Sequence, residues 1–223
     1  MADFAKAGSQ RWLQVAVNRK SQLLLSALRR CGAIGSRASI SWQSPIETDG
    51  FREYRDLPAL TKAQISSLKK PLSSFWPARG PVWDAIGVTS EGAPIFIEAK
   101  AHIPEAASPA TRASAASRDV IDRSLVEARR FYAPRARALW SGVFYQYANR
   151  LAHQYFLREI NGIPSTLAFL YFVNADDMLG PMSEEEWRGA SRLIHAVLGV
   201  PNDLKPYNVF DVFLDARLLQ DAV

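Results

Sequence analysis

The chain has 223 residues, of which 48% are hydrophobic and 22% are charged. This composition excludes a disordered chain, a collagen-like repeat and a coiled coil. The longest apolar run, 167–173, is far shorter than the roughly 20 residues that a membrane-spanning helix needs, so we expect a soluble protein with no membrane partner. The single cysteine, Cys31, allows no internal disulfide, which is typical of a reducing compartment and predicts a cytoplasmic protein.

The net charge of +5 is unevenly distributed. Residues 1–130 contain 19 Lys and Arg against 12 Asp and Glu, whereas residues 131–223 contain 8 against 10. No acidic residue lies between Asp3 and Glu47, so this stretch suits a polyanionic partner. Its basic residues are predicted to include contacts to nucleic-acid phosphates: Arg11, Arg19, Lys20, Arg29 and Arg30. A solvated helix face explains the same pattern equally well.

The first predicted element is a helix over 9–30. This stretch is basic and amphipathic, which is also typical of a mitochondrial leader. Its apolar stripe, Leu13, Val17, Leu24 and Leu28, needs a core to cover it, which favours a folded helix.

The remaining elements are read in chain order from periodicity and from Pro, Gly and capping signals. We predict a strand at 38–42, a helix over 61–70 capped by Thr61, a hairpin over 82–102, a mobile small-residue loop at 104–118, helices over 117–132 and 142–160, a strand buried on both faces at 166–173, a helix over 184–198 with a Ser183/Glu186 capping box, and a strand at 209–214. The order predicts a single α/β domain, 1–223, with a mixed central β-sheet flanked by helices. Its core spans about 9–173, and 183–223 form a helix-strand extension.

The hairpin brings acidic residues together. Thr89-Ser90-Glu91-Gly92-Ala93 fits a three-residue loop with Gly92 at positive φ, so opposing residues have numbers that sum to 182. Asp84 then lies opposite Glu98, with Cβ atoms roughly 5 Å apart. Lys100 leaves the same face about 6.6 Å further along, and His102 follows in line.

The charged residues of this hairpin have mostly apolar neighbours. Val82, Ile86 and Phe96 share their face, and the opposite face carries Trp83, Ala85, Ile95, Ile97, Ala99 and Ala101. Two opposed carboxylates are unfavourable there unless a cation compensates them. One interpretation is a salt-bridged patch between Glu98 and Lys100. The other is a divalent metal site, in which Asp84, Glu98 and the Ala99 carbonyl offer hard oxygen ligands to Mg²⁺ or Mn²⁺.

These residues also carry a resemblance to a known family. Gly80-Pro81-Val82-Trp83-Asp84, thirteen intervening residues, and Glu98-Ala99-Lys100 resemble the PD-(D/E)XK nuclease superfamily, which has the restriction-endonuclease-like fold. The α-β-β-β-α-β order over 9–173 agrees with that fold. The stretches WDAIG, EAKAHIPE and FYQYANRLAH look like a group of bacterial members of the superfamily.

The resemblance implies a metal-dependent nuclease that hydrolyses phosphodiester bonds in DNA or RNA. It makes Asp84 and Glu98 metal ligands, and it makes Lys100 the residue that positions or deprotonates the attacking water. Where the superfamily often has a carboxylate on its first helix, this chain offers only Gln14 and Asn18. The alternative is therefore a catalytically inactive nucleic-acid-binding or interaction protein that keeps the nuclease fold.

Further supporting residues come from the helix at 142–160. Gln146, Asn149, Arg150 and His153 form a polar stripe on it, and some nucleases of the superfamily brace their site with a Gln on a following helix. Gln146 and Arg150 are thus supporting candidates, although an amide network in a helix interface explains the stripe equally well. His102 is a further candidate at the strand end. The oligomeric state stays open.

Overall fold

The computed structural model describes residues 3–222, and these form a five-stranded sheet between two layers of helices. The strand order is β1-β2-β3-β4-β5, with bounds Ile40–Ser44, Ala85–Thr89, Pro94–Lys100, Thr166–Val173 and Val209–Asp215. Neighbouring strands are antiparallel from β1 to β3 and parallel from β3 to β5. The predicted α/β class with a mixed sheet and flanking helices is confirmed.

The helices are α1 Gly8–Asn18, α2 Ser21–Cys31, α3 Asp56–Lys62, α4 Ile103–Ala106, α5 Ala115–Tyr132, α6 Tyr145–Tyr155 and α7 Glu184–Leu198. Helix α6 continues as a π-helical turn, Phe156–Ile160. On one sheet face α1 and α2 pack against Ala85, Ile97 and their neighbours, and on the other α5, α6 and α7 pack against Ile86 and Phe96. The buried apolar residues of β3 and β4 therefore alternate between two cores, one on each face of the sheet.

The β2–β3 hairpin has the predicted register. Ala85 pairs with Ile97 and Val88 with Pro94, and Gly92 has a φ of 80° in the turn. Asp84 directly precedes β2, at the register position of Glu98. Any chain with this turn and this spacing has the same pairs, because the turn length determines the register.

The predicted side of Trp83 is wrong. Trp83 packs on Phe96, with ring centroids 4.8 Å apart, and so belongs to the core of Ile86 rather than that of Ala85. The chain bends at Asp84, and Trp83 forms an isolated bridge with Tyr54. The two-residue alternation of a strand therefore stops at Asp84.

The single helix predicted over 9–30 is in fact two helices. The amides of Arg19 and Lys20 both donate to the Val15 carbonyl, at 2.9 and 3.2 Å, where α1 ends. The Asn18 side chain donates to the Pro45 carbonyl at 2.8 Å and accepts from the Glu47 amide at 2.9 Å. Tertiary contacts thus end a helix that the apolar stripe alone would continue.

Two other helices, α3 and α6, have bounds that differ from the predicted ones. Helix α3 begins at Asp56 and ends at Lys62, and Gln64 has a φ of 57°, which stops the helix well before 70. Thr61 lies inside α3 and donates to the Leu57 carbonyl at 3.1 Å, so it is not the cap. The helix predicted from 142 begins at Tyr145 because Phe144 has a φ of 62°.

The last elements agree with the sequence. Strand β4 has its predicted bounds and is buried throughout, and the Glu186 amide donates to Ser183 Oγ at 3.3 Å at the start of α7. Strand β5 pairs with β4 along 167–173, so the extension completes the same sheet. Within residues 3–222, no helix is both long and apolar enough to cross a membrane.

Candidate active site

A cleft of about 450 Å³ lies beside the carboxyl-terminal end of β3. The residues that directly precede β2 line it from the neighbouring strand position. The hairpin supplies one wall and the amino-terminal half of α6 supplies another. Six residues singled out in the sequence line it: Asp84, Glu98, Ala99, Lys100, Gln146 and Arg150. The prediction that the two carboxylates and the lysine come together is confirmed.

Asp84 is bound through the strand backbone. Its Oδ2 accepts a hydrogen bond from the Ala99 amide at 2.7 Å. Because the N–H and C=O of one strand residue point to the same neighbour, the Ala99 carbonyl also points toward the Asp84 side. Burial and the nearby charge of Glu98 raise the pKa of Asp84 to about 8. This carboxylate is therefore short of positive charge.

Glu98 is held between two cations. Its side chain is almost fully buried, and its Oε1 lies 2.5 Å from Lys100 Nζ. Its Oε2 accepts from Arg150 Nε at 2.6 Å and also contacts Arg150 Nη2. Burial acts to raise the pKa of Glu98, but Arg150 and Lys100 outweigh it and the pKa is lowered. Glu98 is thus ionised and neutralised from within the chain.

Arg150 is fixed on every side, since only 4% of it is exposed. It donates to the Val82 carbonyl at 2.7 Å and to Asn149 Oδ1 at 3.0 Å. Its guanidinium carbon lies 4.8 Å from the centroid of the Trp83 ring, a cation–π contact. The polar stripe of α6 therefore turns toward the cleft at this residue.

Lys100 is the half-buried cation of the cleft. Burial favours the neutral amine, but the charges of Glu98 and Asp84 outweigh it and raise the pKa of Lys100. Its Nζ lies 3.4 Å from Gln146 Oε1. The backbone amide of Gln146 donates to Ser108 Oγ at 2.8 Å. The ammonium is positioned by three elements: β3, α6 and the loop at 107–114.

Two cleft residues, Glu53 and Arg79, were not predicted from the sequence. Glu53 is half-buried and accepts from Gln10 Nε2 at 3.0 Å, and burial together with Glu98 raises its pKa. Arg79 is exposed at the rim, while its amide donates to Asp56 Oδ2 at 3.0 Å. Arg79 directly precedes the Gly80-Pro81 turn, which could have identified it, but Glu53 lies in a featureless polar connection.

The other supporting candidates lie outside the cleft. Gln14 is buried in α1, where its Oε1 accepts from the Ala5 amide at 2.7 Å, and Asn18 is bound to the loop around Pro45. His102 lies at the start of α4 with its Nδ1 3.4 Å from Glu105. Each of the three side chains contacts a backbone group or a carboxylate of a neighbouring segment. The structure therefore does not bring them together with Asp84 and Glu98.

The basic residues of the first two helices are also away from the cleft. Arg19 pairs with Glu47 at 2.7 Å, and Arg29 donates to the Ala38 carbonyl at 2.7 Å. Arg30 donates to the Phe213 carbonyl at 3.1 Å, and Arg11 to the Lys6 carbonyl at 3.1 Å. Neither these four nor Lys20 line the cleft. Phosphate binding on α1 and α2 stays a prediction.

Comparison of the chain with family models, with curated proteins and with solved structures finds no match to any of them. The chemistry of the cleft is therefore inferred from its own residues.

The donor set of the cleft fits a hard divalent cation. Asp84 and the Ala99 carbonyl supply oxygens on one side, and Mg²⁺ accepts such partial protein coordination with water completing its shell. Among residues 3–222, no three His, Cys, Asp or Glu side chains are grouped to hold an ion. Arg150 contacts Glu98 Oε2 through two nitrogens, whereas in the described part of the chain Oε1 contacts Lys100 alone. Since a carboxylate has about four acceptor positions, Oε1 keeps one for a metal ion.

Proposed function

We propose that the protein is a metal-dependent nuclease of the PD-(D/E)XK superfamily, with the restriction-endonuclease-like fold, that hydrolyses phosphodiester bonds in DNA or RNA. The observation that carries the proposal is the convergence of Asp84, Glu98 and Lys100 in one cleft. Asp84 in particular is a carboxylate that accepts from a backbone amide and, within residues 3–222, from no cation. A divalent ion is the partner that such a carboxylate lacks.

Each residue of the site then has a separate role in the reaction. Asp84, the Ala99 carbonyl and Glu98 would hold Mg²⁺ or Mn²⁺, which when bound polarises a phosphoryl oxygen and lowers the pKa of a water. The Lys100 ammonium orients the attacking water and stabilises the charge that develops on the phosphate. Arg79, at the rim, is placed to contact the nucleic-acid backbone as a guanidinium does, through two parallel hydrogen bonds.

A second candidate is a nucleic-acid-binding protein that keeps the fold without turnover. It is favoured by the buried contact of Arg150 with Glu98, because two resident cations neutralise that carboxylate without a metal. The two candidates differ in whether Glu98 and Asp84 hold a divalent ion when one is supplied.

The test is cleavage of single- and double-stranded DNA and RNA by the purified chain with Mg²⁺, with Mn²⁺ and with a chelator. Lys100→Ala should lower the cleavage rate by roughly 10²- to 10⁴-fold and leave nucleic-acid affinity nearly unchanged. Lys6→Ala, at an exposed lysine away from the cleft, is the matched control. Cleavage that survives Lys100→Ala contradicts the proposal, and binding without cleavage on all substrates favours the second candidate.

Metal binding is tested separately by titrating Mn²⁺ into the chain in a calorimeter. Asp84→Asn keeps the shape of the side chain and removes its charge, so we expect Mn²⁺ affinity to fall by about tenfold or more. Equal affinity in the wild type and Asp84→Asn would exclude Asp84 as a ligand.

A further inference from the structure

A second and larger cavity, of about 620 Å³, lies along the edge of β5 that has no partner strand among the described residues. The end of α2, one side of α7 and the segment 202–205 enclose it. None of the residues that line it lines the candidate active site. An inference drawn from it therefore goes beyond the proposed nuclease activity.

This cavity contains a poorly compensated carboxylate. Asp211 Oδ2 accepts from Ser191 Oγ at 2.8 Å, and the carboxylate makes no other hydrogen bond within residues 3–222. Burial raises the pKa of Asp211 to about 6. The neighbouring cation, Arg188, lies 4.5 Å over the Phe213 ring and pairs with Glu184 at 3.1 Å. A half-buried carboxylate in a purely structural role would instead have a paired cation or several donors.

His195 also lines this cavity, as a buried side chain. It is 3% exposed, and burial lowers its pKa to about 4, so the ring is neutral. Tyr147 Oη lies 2.7 Å from Nε2. When the Tyr147 hydroxyl donates to Nε2, Nε2 is the acceptor. The single N–H of the neutral ring is then at Nδ1. That Nδ1 is buried and has no partner in the described part of the chain.

The cavity is also lined by exposed and half-exposed charges of both signs. Glu184 pairs with Arg188 at 3.1 Å, and Asp203 Oδ1 accepts from the Lys205 backbone amide at 3.0 Å. Arg30 and Lys205 line the cavity as well, both are exposed, and neither forms an ion pair with a described carboxylate. Among the described residues, the cavity therefore combines one carboxylate with a single hydrogen bond, Asp211, and two cations without an ion-pair partner. Its volume lies in the range of small-molecule sites, about 300–1,000 Å³.

We propose that this cavity binds a small molecule that presents an N–H donor group to Asp211 and an anionic group to Arg30 and Lys205. Nucleoside monophosphates and α-amino acids share this chemistry. Asp211 selects the donor end of the ligand, because a bare anion would be repelled there, and the two cations hold the anionic end.

The test measures ligand-induced thermal shifts and calorimetric affinities of the full chain. The panel contains nucleoside monophosphates and α-amino acids, which distinguish the two sources, and inorganic phosphate as an anion without a donor end. At least one member of the first two classes should raise the melting temperature. Its affinity should fall about tenfold or more in Asp211→Asn and be reduced in Lys205→Glu, but not in Lys69→Glu, at an exposed lysine elsewhere.

The unliganded variant separates a binding role from a structural one. The amide oxygen that Asp211→Asn introduces can still accept from Ser191 and brings no buried charge, so we expect an unchanged or higher melting temperature. A fall of several degrees would make the carboxylate structural and overturn the proposal. A panel without any binder, or a binder that Asp211→Asn and Lys205→Glu leave unaffected, would overturn it as well. Lys100→Ala should bind the same ligand as the wild type.

Discussion

Arg150 is the only guanidinium that contacts Glu98 within residues 3–222, and both side chains are almost fully buried. Moving a carboxylate and a guanidinium out of water costs several kcal/mol per ion, which their attraction offsets only when the geometry is good and the remaining hydrogen bonds are made. Here the Val82 carbonyl and Asn149 accept the other guanidinium hydrogens. Removing Arg150 would leave Glu98 with Lys100 alone.

We therefore expect Arg150→Met to lower the free energy of unfolding by about 3–5 kcal/mol. The matched control is Arg188→Met, because the Arg188–Glu184 pair is exposed, and such pairs contribute about 0–1 kcal/mol. Urea unfolding followed by circular dichroism gives both values. A loss for Arg150→Met within error of the control would mean that Glu98 is not an ionised, buried group.

The stability should also depend on pH through His153. This ring is buried, its Nδ1 lies 2.8 Å from the Asn149 carbonyl, and burial lowers its pKa from 6.5 to about 3. A lowered pKa in the folded state means that the unfolded chain binds the proton first. The stability that the neutral ring preserves is present above pH 6.5 and is lost as the pH falls toward 3.

His153→Gln removes this contribution. The difference in unfolding free energy between the wild type and His153→Gln should shift in favour of the variant by about 1.4 kcal/mol per pH unit below pH 6.5. Urea titrations at pH 7, 6 and 5 measure it, and taking the difference cancels the other titrating groups. A difference that does not change with pH would show that His153 accepts a proton in the folded protein.

At the scale of elements, the β2–β3 hairpin determines where the two acids lie, and Gly87 is its tightest point. A Cβ at Gly87 would lie 2.6 Å from Ile40 Cγ2, 3.1 Å from Trp42 and 3.2 Å from Ile95. The absence of a side chain lets β1 and β3 approach β2 on both sides.

Gly87→Ala should therefore destabilise the protein by about 1–3 kcal/mol through overpacking. Gly92→Ala is the comparison within the same hairpin, because no atom lies within 4 Å of its Cβ and only its φ of +80° opposes a side chain. That strain costs about 1–2 kcal/mol. The two causes are told apart by Ile40→Ala, which should reduce the cost of Gly87→Ala and leave that of Gly92→Ala unchanged.

The same hairpin explains what the sequence could predict. Asp84, Glu98 and Lys100 lie within one turn-determined register, so counting from Gly92 suffices to place them. Arg150 reaches Glu98 from a helix 52 residues later in the chain, and no local pattern specifies that contact. The sequence did not predict the break between α1 and α2 for a related reason. Asn18 ends α1 by a hydrogen bond to the Pro45 carbonyl, and the apolar periodicity of a helix contains no information about such tertiary hydrogen bonds.

At the scale of the molecule, the sheet separates the cleft from most of the basic residues of α1 and α2. Glu98 and Lys100 project toward the α6 side, whereas α1 and α2 pack on the other face. Arg79 is the exposed arginine at the rim of the cleft, and Arg19 is an exposed arginine already bound to Glu47. This pair offers a direct test of which surface meets a polyanion.

Binding of a DNA or RNA duplex should weaken with salt, and each phosphate contact adds about 0.9 to the slope of log affinity against log salt. We expect Arg79→Gln to lower this slope by about one unit and Arg19→Gln to leave it unchanged. Affinities at four salt concentrations suffice. The reverse result would place the nucleic acid on the α1–α2 surface, as the charge pattern of the sequence allows.

Helix α6 contacts both cavities through residues three positions apart. Tyr147 stacks on Phe169 with ring centroids 3.9 Å apart and reaches His195, and Arg150 reaches Glu98 one turn later. Phe169 itself lies in register between Glu98 and Asp211. If α6 moves as a rigid body, a displacement imposed at Tyr147 would also move Arg150, and the reverse. Occupants of the two cavities would then share a coupling free energy, each changing the affinity of the other by the same factor.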